Sequence, residues 1–147
     1  MKLRIAFLAV ATIWAGSVMQ SSLRAQAAPA GARTVWDGVY TDAQAERGKA
    51  VYTSACTECH GADLTGDGFA PALTGPEFVG NWTDLSIGDL FERIRISMPP
   101  SGAASVTPEQ KADIVAYVMQ FNKYPAGQTE LESKTDALKT IKIVAKK

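Results

Sequence analysis

The sequence predicts an all-α fold of three to four helices joined by long loops, and three features of its 147 residues carry that expectation. Apolar side chains recur at helical spacing behind three N-cap patterns, at Thr41, Ser86 and Thr107. No alternating strand pattern surrounds the only two cysteines, Cys56 and Cys59. A composition of 46% hydrophobic residues is enough for one folded domain with extensions at its ends.

At the N-terminus, Lys2 and Arg4 precede an apolar run over residues 5–19, and Ala25-Gln26-Ala27 supplies the small-x-small pattern of a signal-peptidase site. Residues 1–27 are therefore expected to be a signal peptide, cleaved on export to the periplasm. The run is short for a spanning helix, which needs about 20 apolar residues, so membrane contact is expected only if the segment stays uncleaved. The whole chain carries 15 basic and 15 acidic residues. Cleavage removes Lys2, Arg4 and Arg24, leaving 12 basic against 15 acidic residues. Residues 28–124 hold 7 basic and 12 acidic residues, an acidic body that argues against nucleic acid as a partner.

Residues 28–40 read as an N-terminal linker, loose over its Ala/Pro/Gly-rich start and then carrying an apolar patch of Trp36, Val39 and Tyr40 that packs on the domain. Thr41 with Gln44 reads as a capping box, with Asp42 in the first turn, opening a helix that runs into the cysteines. Ala45, Gly48, Tyr52 and Ala55 share one face of it. A glycine inside a helix costs about 1 kcal/mol relative to alanine. Unless Gly48 is a tolerated surface glycine, that cost predicts a second helix crossing closely there.

Cys56-Thr57-Glu58-Cys59-His60 then combines two thiols at a spacing of three with an imidazole directly after them, the pattern of c-type haem attachment. On a helical turn both sulfurs come to one side, where each can join one vinyl group of a porphyrin, and His60 can ligate the iron. A disulfide across so small a loop removes little unfolded-state entropy. A thioredoxin-type pair wants a βαβ context, and zinc wants a fourth ligand that the chain's single histidine and two cysteines do not supply.

Residues 61–80 are rich in Gly, Pro, Thr and Asp, with Leu64, Phe69, Leu73 and Phe78 scattered among them. So long an irregular stretch fits a small domain only if a haem supplies apolar surface for those side chains to cover. Asp63, Thr65, Asp67 and Gly68 faintly resemble a calcium loop, but the twelfth position is Thr74 rather than glutamate. Ser86 and Asp89 cap a second helix, with Leu90, Phe91 and Ile94 on one side, which must end before Pro99. Thr107, Pro108 and Gln110 open a third, with an apolar face of Ile114, Tyr117, Val118 and Phe121 and a stop at Pro125. Residues 125–147 form a lysine-rich C-terminal extension, 5 lysines against 3 acids, whose order the sequence leaves open.

A second axial ligand is sought among the methionines. Met1 and Met19 leave with the signal peptide, and Met119 sits where methionine is ordinary core filling. Met98 lies past a helix end, before Pro99 and Pro100, on a backbone stiff enough to hold a thioether against iron. Met98 is the expected ligand.

On these motifs residues 41–124 resemble class I cytochrome c, the small bacterial monohaem type found with quinoprotein dehydrogenases and respiratory oxidases. The likeness rests on Cys56-Thr57-Glu58-Cys59-His60-Gly61, Pro71-Ala72-Leu73-Thr74-Gly75, Trp82, Met98-Pro99-Pro100 and the closing helix around Tyr117. It implies a class I cytochrome c fold around one covalent haem c, held through Cys56 and Cys59 and ligated by His60 and Met98. First and last helices cross in that family at a glycine and an aromatic, places that Gly48, Tyr52 and Tyr117 match. The resemblance further implies that the Pro71 carbonyl accepts the His60 Nδ1 proton and that Trp82 donates its indole N–H to a haem propionate; as a plain reading, the Trp82 ring is core.

With both axial positions filled, the expectation is an electron-transfer protein and not an enzyme. It would carry single electrons between a dehydrogenase donor and an oxidase or cytochrome acceptor, docking weakly as a monomer. A haem enzyme or gas sensor with an open sixth site, and a permanent cytochrome subunit of a dehydrogenase complex, are the alternatives.

Overall fold

The structure, a computed structural model, describes residues 33–145. The expected signal peptide, and the linker up to residue 32, lie outside the described residues. The fold is helical, as expected: α1 (Asp42–Ala55), α2 (Thr57–His60), α3 (Gly75–Trp82), α4 (Ile87–Ser97), α5 (Pro108–Phe121) and α6 (Thr135–Leu138). Two short strands, β1 (Arg33–Thr34) and β2 (Ile141–Lys142), pair in parallel and bring the two ends of the described chain side by side.

Local chemistry explains most boundaries. At α4 and α5 the capping boxes are complete, Ser86 with Asp89 and Thr107 with Gln110 each exchanging side-chain and backbone hydrogen bonds. At α1 the Thr41 hydroxyl accepts the Gln44 amide at 3.1 Å, but the Gln44 side chain does not reach back as the sequence suggests. It is buried and turns to Leu131, donating Nε2 to the Leu131 carbonyl at 3.0 Å and accepting the Leu131 amide at 2.8 Å. A long-range pair has displaced the local one.

Two other boundaries depart from the sequence reading. Helix α3 occupies part of the stretch expected to be irregular; Pro76 sits in its first turn, where no amide partner is needed, and Phe78 is fully buried. Helix α5 ends at Phe121, four residues before Pro125, with Asn122 as its cap.

The core forms where α5 lies across α1, lined by Ala45, Tyr52, Ala112, Val115 and Tyr117, with the Tyr52 and Tyr117 rings 5.3 Å apart. Gly48 marks the closest approach. A Cβ there would run into the Asp113 carbonyl, which is backbone and cannot swing aside.

The C-terminal extension, as far as residue 145, packs against this body. Leu131, Leu138, Ile141 and Ile143 are buried, the Tyr40 hydroxyl donates to the Tyr124 carbonyl at 2.6 Å, and Trp36 Nε1 donates to the Val144 carbonyl at 3.1 Å. Arg47 bridges Asp113 of α5 and Glu130 of the extension at 3.1 and 2.8 Å. These exposed pairs contribute little individually; the buried apolar residues hold the extension down.

Replacing Gly48 by alanine tests the crossing. Better helix propensity contributes about 1 kcal/mol, whereas forcing α1 away from α5 costs about 1–3 kcal/mol or more. Gly48→Ala should therefore lower the urea midpoint of the purified protein, and an unchanged or higher midpoint would contradict the packing.

Candidate cofactor-attachment site

Helix α1 delivers the two thiols. Cys56 departs from helical geometry (φ −127°, ψ −25°), yet its amide still donates to the Tyr52 carbonyl at 2.9 Å and its carbonyl accepts the His60 amide at 2.9 Å. Cys56, Cys59 and His60 thus follow one another on a kinked but continuous helical path. Both cysteines are free; Cys56 is half-buried and Cys59 exposed. Burial, reinforced by the neighbouring Cys59, pushes the Cys56 thiol up to about 11, so it is protonated at neutral pH.

Histidine 60 is buried, with Nδ1 3.0 Å from the Pro71 carbonyl. A carbonyl can only accept, so Nδ1 donates to Pro71; in the neutral ring this leaves the Nε2 lone pair as the one able to ligate a metal. Two features fix the backbone around it. Gly61 turns the chain out of α2 at φ 73°, and its carbonyl accepts the Tyr52 hydroxyl at 2.7 Å. Burial raises the Tyr52 pKa above the ordinary tyrosine value, so this hydroxyl remains a donor.

The loop bearing Pro71 is pinned from α5. Asn122 Nδ2 donates to the Leu73 carbonyl at 2.8 Å, and its Oδ1 accepts the Gly75 amide at 3.3 Å. Leu64 is wholly buried at φ 61°, a left-handed conformation costing leucine about 1–2 kcal/mol. Burying its side chain returns about as much or more. The Asp67 carboxylate accepts the Phe69 and Ala70 amides, and Asp63 accepts the Thr65 hydroxyl, so both shape local turns.

Met98 stands at the C-cap of α4, half-buried. It borders a small hollow with Cys56, Ile94, Pro99, Val106, Lys111 and Ile114. The hollow therefore brings together a thiol of the attachment motif and the expected thioether. Met119 is wholly buried in the core, as expected of a filler. Trp82 is half-buried beside Phe78, ring centroids 6.4 Å apart, and is not among the residues bordering that hollow. The donor types fit a covalently attached haem: two free thiols and an imidazole within five consecutive residues, with Cys56 and Met98 sharing one small apolar hollow that Cys59 and His60 do not border.

Sequence reasoning missed three contributors. Tyr52 was visible only as a core residue, and Asn122 gave no signal beyond its place after an apolar helix. Lys111 had one: it falls three residues before Ile114, on the helix's apolar side, and it is buried. Desolvation, then repulsion from Arg95, lowers its pKa from the ordinary lysine value.

Residues 43–118 match the family model described as cytochrome c oxidase, cbb3-type, subunit III, and the chain belongs to that family of c-type cytochromes. The chain is also similar to the cbb3-type cytochrome c oxidase subunit CcoP of Rubrivivax gelatinosus, 32% identical over 114 residues. That match covers 74% of this chain but only 38% of the relative's length. No solved structure matches the chain significantly.

Removing the Tyr52 hydroxyl leaves the Gly61 carbonyl short of a partner next to the candidate ligand. Tyr52→Phe should cost about 1–2 kcal/mol in chemical denaturation; a cost near zero would mean that water replaces the bond and that Tyr52 does not fix the His60–Gly61 backbone.

Proposed function

We propose that this chain is a monohaem c-type cytochrome of the periplasm that passes single electrons from a dehydrogenase-class donor toward a respiratory oxidase. When bound, haem c supplies an Fe(III)/Fe(II) couple whose potential a methionine ligand raises. In this reading Cys56 and Cys59 would tether the ring, His60 and Met98 would ligate the iron, the Pro71 carbonyl would orient His60, and Trp82 would serve a propionate.

The single observation that carries the reading is the pairing of roles: an imidazole with Nδ1 committed to Pro71, and Met98 bordering one hollow with Cys56. A metal-bound histidine needs its second nitrogen satisfied in this way to fix its tautomer and orientation. The stiff Met98-Pro99-Pro100 backbone favours a filled sixth position over an open haem enzyme or gas sensor.

Similarity to an oxidase subunit supports an oxidase as acceptor and a place within a redox complex, in preference to a freely diffusing carrier. A quinoprotein dehydrogenase as donor is supported only by the motif resemblance. The apolar run at residues 5–19 and its small-x-small ending support export. Among the described residues no helix is long and apolar enough to cross a membrane.

An optical spectrum of the oxidised protein tests the sixth ligand. The native protein should show the near-infrared band of an iron–sulfur(thioether) bond, and Met98→Ala should lose it while gaining the ability to bind cyanide rapidly. Persistence of the band in Met98→Ala would take the role away from Met98.

A further inference from the structure

The buried Lys111 has no ion-pair partner among the described residues, and its side chain is spent on two backbone carbonyls. Nζ donates to the Arg95 carbonyl at 3.0 Å and to the Ala103 carbonyl at 2.6 Å. The sequence explains why the first of these needs a donor. The last regular bond of α4 runs from the Met98 amide to the Ile94 carbonyl at 3.0 Å. The next would come from residue 99 to Arg95, but residue 99 is proline and has no amide hydrogen. Lys111 supplies the missing donor, and its charge sits at a helix C-terminus, where a cation is favoured.

The second carbonyl lies across the loop. Ala103 opens the 3-10 turn Ala103–Ser105, and between Arg95 and Ala103 runs the segment that contains Met98, Pro99 and Pro100. One ammonium group therefore grips both ends of that segment, and Lys111 borders the same hollow as Met98. A buried charge without a carboxylate partner is costly unless its hydrogen bonds are good. An apolar residue of similar length would fill the space without that cost, so filling space does not explain a lysine here.

We propose that Lys111 is a positioning residue: it clamps the two ends of the Met98 loop to α5 and so holds the Met98 sulfur in ligand position. The inference rests on Met98 being the sixth ligand, as proposed above. Bonds to a charged donor are the stronger kind, and their loss beside a ligand should weaken that ligand's hold by roughly tenfold or more.

The test uses the oxidised holoprotein and titrates it with imidazole, reading the concentration that removes half of the near-infrared band. Lys111→Met keeps the stem and removes the donors; it should need roughly tenfold less imidazole than the native protein. Ile143→Ala, destabilised in the buried C-terminal extension and not bordering that hollow, serves as a comparison and should not shift the titration. Equal titrations for Lys111→Met and the native protein would overturn the clamp. So would an equal shift in Ile143→Ala, since general loosening would then suffice. If Lys111→Met fails to accumulate, Lys111→Gln, which keeps amide donors on a shorter stem, should give a smaller shift in the same direction, and no shift would overturn the proposal. A native protein without the band would instead refute Met98 ligation itself, before any variant is compared.

Discussion

Helices α1 and α5 approach until backbone meets backbone, the Asp113 carbonyl occupying the space that any side chain at position 48 would need. This contact sets the spacing of everything attached to the two helices. Helix α1 ends by delivering Cys56, while α5 presents Lys111 and Ile114 across the same hollow. Tyr52 and Tyr117 pack beside the crossing, and the Tyr52 hydroxyl carries the constraint onward to Gly61, next to His60. A rigid crossing midway along α1 thus constrains the Cys56–His60 turn at the end of that helix.

A second layer of constraint is polar and falls on loops. Asn122 at the close of α5 holds the carbonyl of Leu73 and the amide of Gly75, which places Pro71 where its carbonyl can take the Nδ1 proton of His60. Lys111, about three turns earlier along α5, does the equivalent for the loop that bears Met98. Both proposed axial ligands are therefore supported from α5, one through an amide and one through an ammonium. Buried loop carbonyls need donors, and here side chains of a regular helix provide them.

What the sequence revealed depended on how local the signal was. Thr107, Ser86 and the apolar faces behind them act within one or two turns, so α4 and α5 could be placed from spacing and capping chemistry. Gly48 was legible because a glycine inside a helix demands a reason. Gln44 was misread because its true partner, Leu131, lies far along the chain, and a buried long-range pair outcompeted the local cap. Helix α3 escaped notice because eight residues give too short a period to register beside so much Gly, Pro and Asp. The candidate motif Cys56–His60 was compact enough to be singled out from the sequence alone. Its supports, Tyr52, Asn122 and Lys111, are scattered over some seventy residues and became visible only in three dimensions.

Every functional statement depends on the turn from Cys56 to His60 carrying a porphyrin by covalent bonds. The most direct measurement is the mass of the denatured protein and of its Cys56–His60 peptide. The account predicts a protein one haem heavier than its polypeptide, with the added mass on that peptide and both thiols unavailable to alkylation. An unmodified peptide whose two cysteines alkylate freely, from protein matured in a host able to attach haem, would contradict it.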